Sequence, residues 1–172
     1  MPCGFRRMKS EKEIIKPNRI GWREWVALPG LDIPAIKAKV DTGARTSSLH
    51  TFHIESFREK GRDMVKFHIH PLQKRTDIEI ICVAPIIDTR IVKDSGGHAE
   101  ERHVIMTPLR LGKMEWPIEV TLTSRDDMLF RMLLGRTAII DGHFRVSPGE
   151  SYVTGKSFIT AYKRIIGKRM NS

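Results

Sequence analysis

The stretch AKVDTGARTSSLH, residues 38–50, ends an apolar strand on an aspartate and continues with Thr-Gly-Ala and small hydroxyl residues. Apolar residues alternate along the preceding strand at Ile36, Ala38 and Val40. Asp41 therefore stands at the end of that strand. An acid in this position is either a turn former that closes a hairpin or a carboxylate held at the base of a cleft. The rest of the sequence has to decide between these two interpretations.

Length and composition favour one all-β domain. The chain has 172 residues, which corresponds to about one domain at ~100–200 residues per domain. It contains 13 glycines and 9 prolines, and its Val, Ile and Thr residues occur in short runs. Runs of this kind, bounded by turn residues, are typical of strands. Helical spacing occurs only near the C-terminus, where five apolar residues share one arc: Phe158, Ile159, Tyr162, Ile165 and Ile166. We therefore expect an all-β fold with a short C-terminal helix.

Much of the net charge of +10 lies at the two ends of the chain. The basic residues there are Arg6, Arg7, Lys9, Lys12 and Lys16 at the start, and Lys156, Lys163, Arg164, Lys168 and Arg169 at the finish. A basic chain attracts polyanions such as RNA. Basic tails without stacking aromatic residues do not favour nucleic acid as the main partner. RNA association through the tails is therefore the least favoured of three functional hypotheses; the other two follow from the motifs described below.

Cysteine content and hydropathy favour the cytoplasm. Cys3 and Cys82 are too few for a disulfide scaffold or a thiolate zinc site. The N-terminal segment lacks the apolar stretch of a signal peptide, and no run approaches about 18 apolar residues. We expect a soluble cytoplasmic protein without a membrane span.

A β-hairpin is predicted over residues 51–70, with its turn at Lys60-Gly61. This register sets Glu55 opposite Lys66 and His53 opposite His68. The other face would be apolar and formed by Phe52, Ile54, Val65, Phe67 and Ile69. His53, His68 and His70 would share the polar face, where they form either a zinc site or three solvated histidines.

Two motifs make Asp41 a candidate for catalysis. Val40-Asp41-Thr42-Gly43-Ala44 resembles the active-site turn of aspartic proteases, and Met132-Leu133-Leu134-Gly135-Arg136 resembles the segment that packs behind that turn in retroviral-type proteases. Gly43 allows backbone N–H groups to approach the carboxylate closely, and Thr42 offers a hydroxyl for a hydrogen bond across a subunit interface. Leu133, Leu134, Gly135 and Arg136 are expected to support the site.

Aspartic proteolysis needs a second carboxylate, because two carboxyl groups share one proton in the reaction. The Asp-Ser-Gly-Gly stretch at Asp94 follows too closely for a second lobe, and it does not follow a clean apolar strand. A C2 homodimer that brings Asp41 from each chain to the axis is the favoured solution. Asp94, Ser95, Gly96, Gly97 and His98 then form the tip of a flap hairpin that closes over a bound peptide.

Nearly the whole segment from residue 19 to residue 153 resembles a bacterial family known as ATP-dependent zinc proteases. That family is associated with RimK-type ATP-grasp ligases and is classed as retropepsin-like. The matching stretches are IPAIKAKVDTGARTSSLH, FHIHPLQ, AEERHVI, WPIEVTLTSRDDMLFRMLLGR and PGESY. The chain has no His-Glu-x-x-His pair and no Gly-x-x-x-x-Gly-Lys-Ser/Thr loop, so any ATP dependence would come from a partner such as the ligase.

The resemblance implies a closed retropepsin-like β-barrel over 19–154, between a basic flexible tail over 1–18 and a basic helix or tail over 155–172. It also implies Asp41 as the catalytic residue. The favoured function is a homodimeric aspartic peptidase that hydrolyses peptide or isopeptide bonds in peptides or proteins, with no cofactor and no metal. The alternative is a non-catalytic module that binds peptides or regulates a RimK-type ligase.

Two arginines beside the motifs have expected roles in the site. Arg45, next to Ala44, could bind an acidic substrate, which would suit a connection to glutamate ligation; the alternative is an ordinary surface arginine. Arg136 could brace the dimer or the base of the site through a bidentate contact with Asp126 or Asp127. An exposed ion pair of little energetic weight is the alternative for Arg136.

Overall fold

The computed structural model describes residues 18–125 and 127–163. It contains eleven strands in those residues: β1 (Asn18–Gly21), β2 (Arg23–Leu28), β3 (Ile33–Asp41), β4 (Ser47–Glu59), β5 (Arg62–Ile69), β6 (Ile80–Pro85), β7 (Asp88–Lys93), β8 (Ala99–Leu111), β9 (Met114–Ser124), β10 (Met132–Gly135) and β11 (Phe144–Ser147). Helix α1 (Arg136–Asp141) and two 3₁₀ turns, Pro29–Leu31 and Ser157–Ile159, complete the elements. The predicted all-β class is confirmed.

Six strands close into a ring in the order β10, β3, β2, β8, β9 and β4, and β4 pairs back with β10. The interior is filled by apolar side chains that alternate along the strands, as pleated strands with one buried face require. Fully or almost fully buried members include Val26, Ile36, Leu49, Ile105, Val120 and Leu134. A ring of this kind has no free edges, so its strand ends are fixed relative to one another.

Strand β10 lies between the two strands that flank the Asp-Thr-Gly turn. It runs parallel to β3, with Gly135 beside Asp41, and antiparallel to β4, with Leu133 beside Ser48. The two sequence motifs, which are about ninety residues apart in the chain, are therefore neighbours in the sheet.

The hairpin of β4 and β5 has its predicted turn. Lys60 and Gly61 both have positive φ, of 50° and 76°, and Glu55 lies opposite Lys66. The predicted pairing of His53 with His68 is wrong, because a bulge between 52 and 55 sets Phe52 opposite His68. Phe52 therefore lies on the face of the histidines and stacks on His70, with ring centroids 4.5 Å apart, instead of joining the apolar face.

Strands β7 and β8 form the second hairpin, with residues 94–98 at its tip, as the sequence predicted. The Asp94 N–H donates to the His98 carbonyl at 3.0 Å, and the Asp94 Oδ1 accepts the N–H groups of Gly96 and His98 at 2.9 Å. Gly97 has a φ of 83°, a conformation that glycine adopts at little cost. The tip is thus a closed turn built on the Asp94 side chain.

The C-terminal part of the sheet differs from expectation. Strand β11 pairs in parallel with β1, far from it in the sequence. Helix α1 was not foreseen. Residues 157–163 are helical, as expected, and Tyr162 is buried and donates its hydroxyl hydrogen to the Ala35 carbonyl. The remainder of the predicted C-terminal helix, and the N-terminal tail up to residue 17, lie outside the described residues.

Glu24 fastens the chain that follows β11 to strand β2. Its side chain is fully buried, and its carboxylate accepts the N–H groups of Gly21, Val153 and Thr154 at 2.8, 2.9 and 3.3 Å. The Thr154 hydroxyl donates to the same carboxylate at 3.0 Å. Four donors therefore satisfy a charge that would otherwise be costly to bury. No helix in the described residues is long and apolar enough to cross a membrane.

Candidate active site

The Asp41 carboxylate is half-buried at the end of β3 and is held by its own turn. Its Oδ1 accepts the N–H groups of Gly43 at 3.0 Å and Ala44 at 3.2 Å. A Cβ added to Gly43 would stand 3.2 Å from that oxygen, which is closer than most contacts of this kind. Glycine thus allows the backbone to approach the acid, as the sequence predicted. Oδ2 has no hydrogen-bond partner in the described residues.

The Leu-Leu-Gly-Arg segment supports this turn from behind. The Gly135 N–H donates to the Ser47 Oγ at 3.0 Å, and the Arg136 N–H donates to the Ala44 carbonyl at 2.8 Å. A Cβ on Gly135 would come within 2.5 Å of the backbone of Thr46, so the two segments are in direct contact. The next residue continues the contact, because the Thr137 hydroxyl and N–H both donate to the Arg45 carbonyl, at 2.8 and 3.1 Å.

Within the described residues, the Arg136 side chain contacts backbone and not a carboxylate. Its Nη1 donates to the Thr42 carbonyl at 2.9 Å. The expected ion pair with Asp127 does not occur in the described part of the chain, and Asp126 lies outside it. Arg136 therefore braces the Asp-Thr-Gly turn through the peptide that joins Thr42 to Gly43.

A cleft of about 430 Å³ lies between this turn and the β7–β8 hairpin. Its lining comprises Gly43, Ala44, Arg45, Thr46, Ser48, Arg90, Ile91, Val92, Lys93, Arg102, Thr121 and Leu133. The hairpin thus faces Gly43 and Ala44 of the motif across the cleft, and Asp41 and Thr42 are not among the lining residues. A second cavity, of about 490 Å³, lies between the 29–34 turn and residues 157–161 and is lined by no residue of either motif.

Four cationic side chains give the cleft a positive character: Arg45, Arg90, Lys93 and Arg102. Arg90 is neutralised by Glu119 and Asp88, each at 2.7 Å, and the hydrogen bond to Glu119 is the main cause of its raised pKa. Glu100 binds the Nε of Arg102 at 2.9 Å. Arg45 and Lys93 are exposed, and no ion pair involves either of them in the described residues. The cations without an ion pair, Arg45 and Lys93, thus lie on opposite sides of the cleft.

The tip of the β7–β8 hairpin is tied to the end of β9. Arg125 contacts the Asp94 Oδ2 at 3.4 Å. Hydrogen bonds from the backbone N–H groups, that of His98 first, lower the pKa of Asp94. Asp94 therefore holds the turn of this hairpin, and Ser95, Gly96 and Gly97 are exposed beside it. None of these four residues lines the cleft; the residues of the hairpin that do are 90–93 and Arg102.

The histidines proposed for zinc lie on the β4–β5 hairpin. The rings of His53 and His68 are 5.3 Å apart, His68 is hydrogen-bonded to Glu79, and buried His70 bonds the Ile78 carbonyl at 3.2 Å. No group of three or more His, Cys, Asp or Glu side chains in the described residues is arranged to hold a metal ion. These histidines pack with Phe52 and their strand neighbours.

Several polar residues of the cleft were missed from the sequence. Ser48, Thr121 and Arg102 line it, and His50 lies buried on β4, two residues after Ser48. The alternation of β4 could have identified Ser48 and His50 as sharing one face. Thr121 and Arg102 come from strands whose register no local pattern fixes.

Comparisons with known proteins agree with this geometry. A family model described as "Retropepsin-like aspartic endopeptidase RimB" matches residues 19–157. Two relatives, each named "Probable alpha-L-glutamate ligase", come from Desulfotalea psychrophila and Shewanella pealeana. The first is 52% identical over 71% of this chain and 26% of the relative, and the second 45% identical over 80% and 30%. The chain thus spans about a third or less of the length of these relatives.

A crystal structure of a protein of unknown function from Legionella pneumophila matches with a TM-score of 0.68 and 28% identity, over 81% of this chain and 99% of that one. The family model describes an aspartic endopeptidase, so the words ATP-dependent and zinc in the expected family name find no support. Since the family model matches most of the chain, including both motifs, the chain belongs to the RimB-like family of retropepsin-like proteins.

Proposed function

We propose that this protein is an aspartic peptidase whose active site forms when two copies bring their Asp41 carboxylates together. The observation that carries the proposal is the environment of Asp41. Its Oδ1 is held by two backbone N–H groups at the end of β3, and the turn is braced by Gly135 and Arg136 beneath a cleft covered by a hairpin. A simple structural turn needs neither the brace nor the cover.

The second copy is required by the chemistry. In the described residues, the hydrogen bonds to Asp41 come from backbone amides and not from another carboxyl group. Two carboxyl groups sharing a proton need to lie within hydrogen-bond distance of each other. With a two-fold axis beside the exposed residues Thr42 and Gly43, the identical surface of a second copy supplies the second Asp41. The Thr42 hydroxyl, which has no partner in the described residues, is available to bond across that axis.

Each group then has one task in hydrolysis. The ionised Asp41 removes a proton from a water molecule, which attacks the peptide or isopeptide carbonyl carbon. The protonated Asp41 donates a hydrogen bond to the carbonyl oxygen as it gains negative charge. The Asp41 that took the water proton passes it to the leaving nitrogen, the C–N bond breaks, and the tetrahedral intermediate collapses to a carboxylic acid and an amine. The β7–β8 hairpin excludes bulk water from these steps.

The charge of the cleft favours an acidic peptide as substrate. Arg45 on the motif side and Lys93 on the flap side are exposed cations facing the space where a peptide would lie. Opposite charges on substrate and cleft raise both the rate of encounter and the specificity. The relatives named as glutamate ligases make a glutamate-containing chain a reasonable first candidate.

The test is cleavage of a diverse peptide library, including glutamate-rich members, by wild type and Asp41→Asn from acid to neutral pH. Each assay is run with and without a metal chelator. Asp63→Asn is the matched control, because it removes an exposed carboxylate at the far end of the β4–β5 hairpin. We expect chelator-resistant cleavage in wild type and control, and loss of cleavage in Asp41→Asn with fold and dimer retained. Full activity in Asp41→Asn would overturn the proposal.

A second candidate is a regulatory module for a RimK-type ligase. It is favoured by the relatives, which are named as ligases and of which the segment shared with this chain is only 26% and 30%. Tight binding to a glutamate ligase, without peptide turnover at any pH, would support this function over the first. Binding that alters ligase activity equally well with Asp41→Asn would show that the carboxylate is not used.

A further inference from the structure

We propose that His50 and Arg102 form a subsite that binds a carboxylate side chain of the substrate at the inner end of the cleft. This inference rests on the proposed function, because it assumes that the cleft receives an acidic peptide. It adds a binding site formed by residues of neither the Asp-Thr-Gly motif nor the Leu-Leu-Gly-Arg segment.

The strand register connects His50 to the cleft. On β4 and β9, Ser48 lies beside Thr121 and His50 lies beside Thr123. Because residues two apart point to the same face of a strand, His50 and Thr123 continue the surface that Ser48 and Thr121 form in the cleft. Arg102 connects the cleft with His50. It lines the cleft, and its charge acts on the His50 ring.

The His50 side chain has an unused hydrogen-bonding atom. The residue is 5% exposed, and its Nδ1 lies 2.8 Å from the Thr123 Oγ1. Its Nε2 is buried and has no hydrogen-bond partner in the described residues. A buried polar atom without a partner is costly to the folded protein, so such atoms in native structures call for a functional explanation. A ligand that enters from the cleft would supply the missing partner.

The surrounding charges select an anion as that partner. Three arginines, Arg102, Arg125 and Arg131, lower the pKa of the ring, and Asp127 raises it. Glu100 pairs with Arg102 and Asp94 contacts Arg125, so part of this positive charge is balanced within the described residues. Burial first, and then these arginines, lower the pKa of His50 to about 4. The ring is therefore neutral near pH 7, and Nε2 donates a hydrogen bond when it carries the proton. A neutral donor within a positive field suits a carboxylate better than an amide.

Arg102 retains the capacity to bind such a group. Glu100 binds its Nε, while the guanidinium carries five N–H donors in total. Its side chain is 13% exposed, so a contact made there is shielded from water. A carboxylate that reaches both the Nη groups of Arg102 and Nε2 of His50 would be held from two directions. A glutamine side chain has the same shape but lacks the charge, so the subsite distinguishes the two.

Binding is tested first without catalysis. Asp41→Asn protein with ¹⁵N-labelled histidine is titrated near pH 7 with a capped peptide of glutamates, and separately with the matching glutamine peptide. We expect the His50 ring nitrogens to shift with the glutamate peptide and not with the glutamine peptide, and Arg102→Gln to reduce the shift. Unchanged His50 signals at millimolar glutamate peptide, or equal shifts with both peptides, would overturn the proposal.

Kinetics supply the second test. Arg102→Gln and His50→Gln should lower kcat/KM for the glutamate peptide by about tenfold or more, and leave that for the glutamine peptide within about threefold. Arg62→Gln, which removes an exposed arginine at the hairpin turn, is the matched control. Equal losses on both peptides would make the role structural and overturn the subsite. If the His50 ring nitrogens shift as expected but wild type cleaves neither peptide, the peptidase proposal is rejected and the subsite proposal is retained.

Discussion

Gly135 lies beside Asp41 in the parallel pairing of β10 with β3, and no larger residue fits there. A Cβ on Gly135 would stand 2.5 Å from the Thr46 carbonyl carbon and 2.7 Å from the Ser47 nitrogen. Both of these are backbone atoms, which cannot move aside as a side chain can. The close approach of β10 to the backbone of Thr46 and Ser47 is therefore a condition for the Asp41 turn to keep its shape.

Gly135→Ala should destabilise the protein by about 3 kcal/mol or more, because overpacking against backbone forces the strands apart. The free energy of unfolding in urea measures this loss. Gly149→Ala is the control, since nothing lies within 4 Å of its added Cβ and the site is exposed. Equal stability of the two variants would show that β10 does not pack against the 44–47 turn in this way.

Arg136→Met should lower activity more than stability. The side chain is exposed, and its loss removes a hydrogen bond to the Thr42 carbonyl, worth about 1 kcal/mol in folding. The turn that orients Asp41 then gains freedom, and we expect kcat to fall by about tenfold or more. Peptide cleavage and urea unfolding are measured side by side. The control is Arg145→Met, which replaces an exposed arginine on β11 and should leave kcat unchanged. A similar fall of kcat in Arg145→Met would contradict the role of Arg136 in orienting Asp41.

Glu24→Gln should lower the free energy of unfolding by about 2–4 kcal/mol. The variant keeps the shape of the side chain but replaces one acceptor oxygen by an NH₂ group that faces N–H donors, and it removes charge-assisted hydrogen bonds. Limited proteolysis between 148 and 156, together with urea unfolding, would show the release of this segment. Glu59→Gln, an exposed strand-end glutamate, is the control. Unchanged proteolysis in Glu24→Gln would contradict the anchoring role.

The stability of the protein should fall as pH drops through the range set by His50. An unfolded histidine titrates near 6.5, whereas burial and nearby arginines lower the pKa of folded His50 to about 4. Between these values the unfolded chain binds the extra proton, so acid favours unfolding. The fall begins below about pH 6.5 and is complete near pH 4, with a size on the order of 3 kcal/mol.

His50→Gln should remove this part of the pH dependence. Urea unfolding at a series of pH values would then give a smaller fall for the variant than for wild type. His143→Asn is the control, because His143 is exposed at a φ of 54°, which asparagine tolerates. Parallel curves for wild type and His50→Gln would contradict a buried neutral His50.

The local motifs were predictable from the sequence because each carries its own chemistry. The Asp-Thr-Gly turn needs a strand end, an acid and a glycine, and all three are contiguous. The turn at Lys60-Gly61 likewise shows in composition, and the all-β class follows from short runs of strand-forming residues. These features depend on neighbours in the chain, so counting along the sequence was enough.

The features that were missed depend on distant parts of the chain. The bulge at His53, whose φ is 49°, interrupts a strict two-residue alternation without a glycine to announce it. Helix α1 has six residues, too few for an apolar repeat, and it is fixed by burial of Ala138 and Ile139. Arg102 reaches the cleft only through the pairing of β8 with β7 and β9.

The proposed two-fold site makes a prediction about mixtures. If each site uses Asp41 from both copies, refolding wild type with an equal amount of Asp41→Asn should give random dimers, of which about a quarter carry two aspartates. Activity per total protein should then fall to about a quarter of wild type, because mixed dimers lack the shared proton. Mixing with Asp63→Asn should leave activity unchanged. A fall to half would mean that each chain works alone, and the second carboxylate would have to be found within one copy.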